Sequence, residues 1–250
     1  MLDYLIICPL VFAAGFIDAV AGGGGLISLP AYFITGLPVH NCVATNKMSA
    51  FMGTSVTTAK YAKDGFIPWK IAAFCIPCAF LGSAFGANAA LLLPDRVFRI
   101  VLIIVIPLTA ILILTKKDIL DPKRSYPEKT TIAICSASSL LIGVYDGFYG
   151  PGTGTFLLLM LTAVAGMELK DANGLTKAVN FSTNLSALAV FLMKDQVILP
   201  LGIVAGLFNI AGNYIGASRF EKNGSKIVKP VMIFVLAAFF VKLLIEFAGK

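Results

Sequence analysis

Charge is scarce in this sequence. Its 250 residues include 20 basic and 13 acidic side chains, one histidine and one tryptophan. Charged residues make up 13% of the chain, where an ordinary soluble domain has about 25%. A water-soluble fold could not cover so much apolar side chain with so little polar surface, so lipid must take the place of water. One histidine, five scattered cysteines and few acids in the apolar segments offer no set of transition-metal ligands. Neither metal nor cofactor is expected. No hydrolase, kinase or nucleotide motif occurs, and the glycine run at 22–25 follows no strand, as a dinucleotide fingerprint would require. The chain does not read as an enzyme. Its first residues, MLDYLIICPLVFAAGF, lack the positive charge of a cleaved signal peptide.

What is abundant is apolar: 58% of the residues. Segments 71–93, 97–114, 131–144, 198–217 and 228–247 match or approach the roughly 20 apolar residues that cross a bilayer. The expectation is an all-α integral membrane protein, multi-pass in the inner cell membrane, with the lipid bilayer as its partner. The net charge of +7 comes from short basic runs between apolar segments, such as Lys116, Lys117, Lys123, Arg124 and Lys129. That placement fits cytoplasmic loops rather than a nucleic-acid surface.

An internal repeat organises the sequence. Gly15-Phe-Ile-Asp18 is echoed 128 residues later by Gly143-Val-Tyr-Asp146. Each copy runs into glycines: Gly22, Gly23, Gly24 and Gly25 in the first, Gly150, Gly152 and Gly154 in the second. Lys47 is matched by Lys177 at 130, Lys63-Asp64 by Lys194-Asp195 at 131, and Gly82 and Gly86 by Gly212 and Gly216 at 130. This reads as a tandem duplication, 1–120 and 127–250, joined by a polar, cytoplasmic linker at 116–129.

In each copy a long apolar segment (5–21, 132–149) meets the glycines and a short one follows (26–36, 155–166). At 1.5 Å per residue, 11 or 12 residues cannot cross about 30 Å. They read as return arms of re-entrant pairs, each followed by three full spans. With re-entrant pairs, thirteen loop lysines and arginines fall on one side. Only Arg96, Arg99, Lys194, Lys242 and Lys250 remain on the other. If the pairs crossed fully, the division would be 11 to 7. Three crossings per copy invert the second copy relative to the first.

Irregular backbone in a membrane is tolerated only inside protein or along a watery cavity. Glycine breaks at matching places therefore point to a transporter binding site. Half-helix N-termini there would favour an anion, although small residues also serve close helix packing. The expected substrate site comprises Gly22, Gly23, Gly24, Gly25, Asn46, Lys47, Gly150, Gly152, Thr153, Gly154, Lys177, Asn180 and Asn184. Ser49, Thr54, Thr57 and Thr58 add hydroxyls in the first copy. Asp18 and Asp146 precede the breaks by four residues each. An intramembrane carboxylate is costly, so these are read either as proton-coupling groups or as ion-pair partners of the lysines. The ligand is expected to be a small anion, and assembly into a homo-oligomer is left open.

Cys75-Ile-Pro-Cys78 raises a rival reading, a membrane thiol–disulfide electron carrier. Its counterpart near 205–208 has no cysteine, which a repeat-built carrier would need. A passive anion channel is the second rival.

The stretch AGGGGLISLP after Gly-Phe-Ile-Asp, the Ala-Thr-Asn-Lys that follows it and the weaker second copy resemble the TauE/SafE family of bacterial sulfite and organosulfonate exporters. The resemblance spans essentially the whole chain. It implies export of small sulfur-containing anions. The second copy departs from the first by placing Pro151 and Thr153 among its glycines and Thr176 opposite Asn46.

Overall fold

A computed structural model describes residues 2–94, 96–97 and 126–223. The spans expected at 97–114 and 228–247, and most of the linker at 116–129, lie outside the described residues. Every described element is helical. They are α1 (Leu2–Ala21), α2 (Gly25–Phe33), α3 (Val39–Lys63), α4 (Trp69–Leu91), α5 (Glu128–Phe148), α6 (Thr153–Leu159), α7 (Leu169–Leu192) and α8 (Leu199–Asn223), with a π-helical turn, Met160–Val164, extending α6. Pro38, Pro68 and Pro127 stand immediately before α3, α4 and α5, where a missing N–H breaks no helical bond.

Among the described residues, four helices are long and apolar enough to cross a membrane: Asp3–Ala21, Trp69–Leu91, Glu128–Phe148 and Leu199–Lys222. Leu81, Phe85, Leu141, Leu207 and Tyr214 stand exposed on three of them, as a lipid-facing surface requires. Helices α3 and α7 have the length but not the apolarity. Lys47 and Lys177 and several of their Asn, Thr and Ser side chains are buried, as are 17 residues of α7 in all.

Helix directions follow from side-chain contacts. A β-carbon on Gly212 would overlap the Phe12 carbonyl oxygen, and one on Gly216 the Phe16 carbonyl oxygen, so α1 and α8 run parallel. Gly82 and Gly86 lie in the same way against Leu140 and Val144, so α4 and α5 run parallel. Met48 and Met52 of α3 face Gly202 and Gly206 of α8, again parallel. Ser182 and Ser186 of α7 donate to the carbonyls of Ile76 and Phe80 of α4, a fourth parallel pair. Small residues bring all of these backbones close. Helices α3 and α7 cross the other way. Lys47 meets Asn184, Phe51 stacks on Phe181, and Thr58 donates to the Lys177 carbonyl.

Thus α1, α3 and α8 run in one direction and α4, α5 and α7 in the other. Because α1 and α3 are parallel, the chain must travel back between Ala21 and Val39, and α2 is that return. The π-extended α6 does the same between α5 and α7. Left-handed backbone recurs at an interval of 130: Gly22 with Gly152, Gly36 with Gly166, and Gly65 with Asp195. That register is one residue shorter than the 131 read from Lys63-Asp64 and Lys194-Asp195.

Candidate substrate cavity at the paired helix breaks

The two glycine breaks meet. A β-carbon on Gly154 would stand 2.6 Å from the Gly22 α-carbon, and one on Gly22 would overlap the Gly154 carbonyl carbon. Only glycine at both positions allows this approach. Around the contact the ends of α1 are fully tied. Its last four carbonyls would be orphaned in an interrupted helix. Here Lys177 donates to Asp18, Tyr61 to Ala19 (3.0 Å), Asn173 to Val20 (3.4 Å) and Thr155 to Ala21 (3.1 Å). In the second break, Tyr145 donates to the Pro151 carbonyl (2.6 Å) and Thr153 to that of Gly150 (2.5 Å).

Beside the breaks lies a cavity with about 40 Å³ open to the centre of a water molecule. Its wall contains Asp18, Gly22, Gly24, Gly25, Asn46, Lys47, Asp146, Gly150, Gly152, Thr153, Gly154, Asn180 and Asn184, all expected from the sequence. Gly23 and Lys177 do not line it. Ala14, Ser28, Ala50, Thr54 and Asn209 complete it. Asn209 falls outside the expected set, although an asparagine within the apolar stretch LFNIAG is itself a signal.

Two ion pairs flank the cavity, and both are crossed. Lys47 of α3 lies 2.8 Å from Asp146 Oδ2 of α5. Lys177 of α7 lies 3.4 Å from Asp18 Oδ2 of α1. They differ in access. The Lys47 ammonium lines the cavity, reaches Asn184 Oδ1 at 3.3 Å, and sits where a β-carbon on Gly150 would come within 2.9 Å of it. Lys177 is fully buried and occupied by the C-terminal end of α1. A cation at a helix C-terminus is favourable, so Lys177 acts on the fold of the break. The half-helix N-termini are also less free than expected, since the Thr155 N–H is bound by the Gly22 carbonyl at 3.0 Å.

Asn46 Oδ1 and Asn180 Oδ1, both on cavity-lining residues, have no hydrogen-bond partner. Buried acceptors are rarely left so unless something else fills the space. No group of three metal-ligating side chains occurs among the described residues.

The family model for "Sulfite exporter TauE/SafE" matches residues 7–243. The chain belongs to the TauE/SafE family. Among its relatives is a probable membrane transporter protein, ORF9, of a Sinorhizobium species, 34% identical over 94% of this chain and 90% of its own length. A probable membrane transporter protein of Haemophilus influenzae is 31% identical over 89% and 87%. The probable membrane transporter protein YfcA of Escherichia coli K12 is 29% identical over 100% and 94%. No solved structure matches. This TauE/SafE chain is therefore a membrane transporter.

All five cysteines are free thiols. Cys75 is turned toward Cys135 and Ser136 of α5 rather than toward Cys78.

Proposed function

We propose that the chain exports small sulfur-containing oxyanions, sulfite or organosulfonates, across the inner cell membrane. The observation that carries this reading is the Lys47 ammonium, buried yet lining a cavity between two glycine breaks. A cation within about 4 Å of an anion contributes about 4 kcal/mol at an effective dielectric near 20, before desolvation is subtracted. The family description names sulfite export, and a buried ammonium on the cavity wall gives an anion of that class a partner.

The chain is read as two inverted repeats, 1–120 and 127–250, with the linker 116–129 in the cytoplasm. The antiparallel crossing of α3 and α7 and the two return arms support that organisation, which suits alternating access around a fixed midplane site. Proton coupling would run through Asp18 or Asp146, the two acids in the cavity wall.

The test is a flux panel in proteoliposomes: sulfite, sulfate, thiosulfate and small sulfonates. The reading expects sulfite or a sulfonate to be carried faster than in empty liposomes. Failure to carry either sulfite or a sulfonate would refute it.

A further inference from the structure

The charges around the cavity already cancel. Lys47 and Lys177 are matched by Asp146 and Asp18, so an arriving anion finds no uncompensated cation. Lys177 is sealed behind the end of α1, and Lys47 is the ammonium that an anion in the cavity can reach. Its Asp146 partner lines the same wall.

Resting on the export reading above, we infer that the substrate anion takes the place of Asp146 at Lys47, and that Asp146 is discharged by a proton as it is displaced. The Lys47–Asp146 pair thus converts the binding of one monoanion into the uptake of one proton. The cavity ends with the same net charge as before, which avoids the large cost of an unbalanced charge at membrane depth. Two carboxylate-like groups cannot both stay ionised against one ammonium in a confined, water-poor space. The proton moves from water on the side to which the cavity is open, onto the Asp146 carboxylate, and leaves by the same route when the anion departs.

The neighbours of Asp146 leave few other takers. Lys47 of α3 and Asp18 of α1 are the charged groups that share its cavity. From α4 the neighbour is Ser83, against Gly147; α6 supplies Thr153; α7 supplies Asn180 and Asn184; none of these titrates near neutrality. Lys177 of α7 is turned to Asp18. Tyr145 on α5 itself donates to the Pro151 carbonyl. Asp18 keeps its own partner whether or not the cavity is filled. Because Lys47 stands on α3 and Asp146 on α5, the exchange also unties a link between those two helices.

The test uses the full chain in proteoliposomes with methanesulfonate, an anion with no titratable proton near neutral pH, and an internal pH dye. Wild type should move one proton with each methanesulfonate, in the same direction, and a pH gradient should speed its flux several-fold. In Asp146→Asn any remaining methanesulfonate exchange should be insensitive to the gradient and carry no proton. Methanesulfonate flux by wild type without proton movement would overturn the inference while leaving the export reading intact, and needs no variant to fold. A gradient response that survives in Asp146→Asn would also overturn it. Failure of wild type to carry either methanesulfonate or sulfite would overturn both.

Discussion

The rings of Phe51 and Phe181 stack with centroids 5.3 Å apart and planes 24° from parallel. These residues lie 130 positions apart, the offset of the sequence repeat, and they sit where α3 and α7 cross in opposite directions. On the proposed reading of two repeats, counterparts that touch would lie on the local axis relating them. Their antiparallel crossing would put that axis across the helices, the arrangement that the proposed inverted repeat calls for.

The first prediction concerns sidedness. Among the described residues, Lys60, Lys63, Lys70, Lys129, Lys170, Arg219 and Lys222 gather at one end of the bundle, against Arg96 and Lys194 at the other. The end rich in lysine and arginine should be cytoplasmic. In a background without native cysteines, Cys at Glu128 or Lys170 should label from the cytoplasm, and Cys at Leu92 or Lys194 from outside. Labelling of positions 92 and 128 from the same side would rule out the inverted arrangement.

The second prediction separates two kinds of glycine. Gly36 has left-handed backbone, and a β-carbon added there would meet nothing within 4 Å, so Gly36→Ala meets only local strain of about 1–2 kcal/mol. Gly22→Ala adds overlap with Gly154 to the same strain, and overpacking costs about 1–3 kcal/mol more. Thermal melting in detergent should therefore fall clearly further for Gly22→Ala than for Gly36→Ala. Equal melting would mean the two breaks do not touch.

Lysines at equivalent sites should behave differently. Removing Lys177 leaves the Asp18 carboxylate without its ion-pair partner and the Asp18 carbonyl without its side-chain donor, a loss of about 3–5 kcal/mol for one partner of a buried pair. Lys177→Gln should lower membrane abundance, and adding Asp18→Asn should restore part of it. Lys47→Gln should instead weaken anion affinity by about ten- to a hundredfold. Lys47→Arg should rescue incompletely, because a planar fork does not replace a compact ammonium. Equal abundance losses in Lys177→Gln and Lys47→Gln would contradict this division.

Much of this is legible in the sequence because its features recur at a nearly constant offset. Asp18 and Asp146, Lys47 and Lys177, and both glycine breaks stand out as pairs, and nearly all the expected residues surround one cavity. What the sequence does not reveal is who pairs with whom. The ion pairs join α3 to α5 and α7 to α1, which depends on α3 and α7 passing each other, and no local pattern encodes that. The different fates of Lys47 and Lys177 arise from Tyr61, Asn173 and Thr155, scattered over three helices and meeting only at the end of α1. The glycine breaks alone predict free half-helix N-termini, but the packing of Gly22 on Gly154 takes up one of those donors.

A fourth prediction addresses the cysteines. Cys75 faces Cys135 rather than Cys78, so the C-x-x-C spacing does not form a working pair. Cys75→Ser with Cys78→Ser should leave anion flux within about twofold of wild type. Abolished flux in protein of normal abundance would instead favour thiol–disulfide chemistry.

The central claim is that Lys47 holds the anion. It is tested most directly by the sulfite or sulfonate affinity of Lys47→Gln/Asp146→Asn, a double variant that removes the cavity-facing pair without leaving a lone buried charge. The account predicts folded protein with affinity at least about tenfold weaker than wild type, while Lys177→Gln/Asp18→Asn stays near wild type. Wild-type affinity in Lys47→Gln/Asp146→Asn would contradict it.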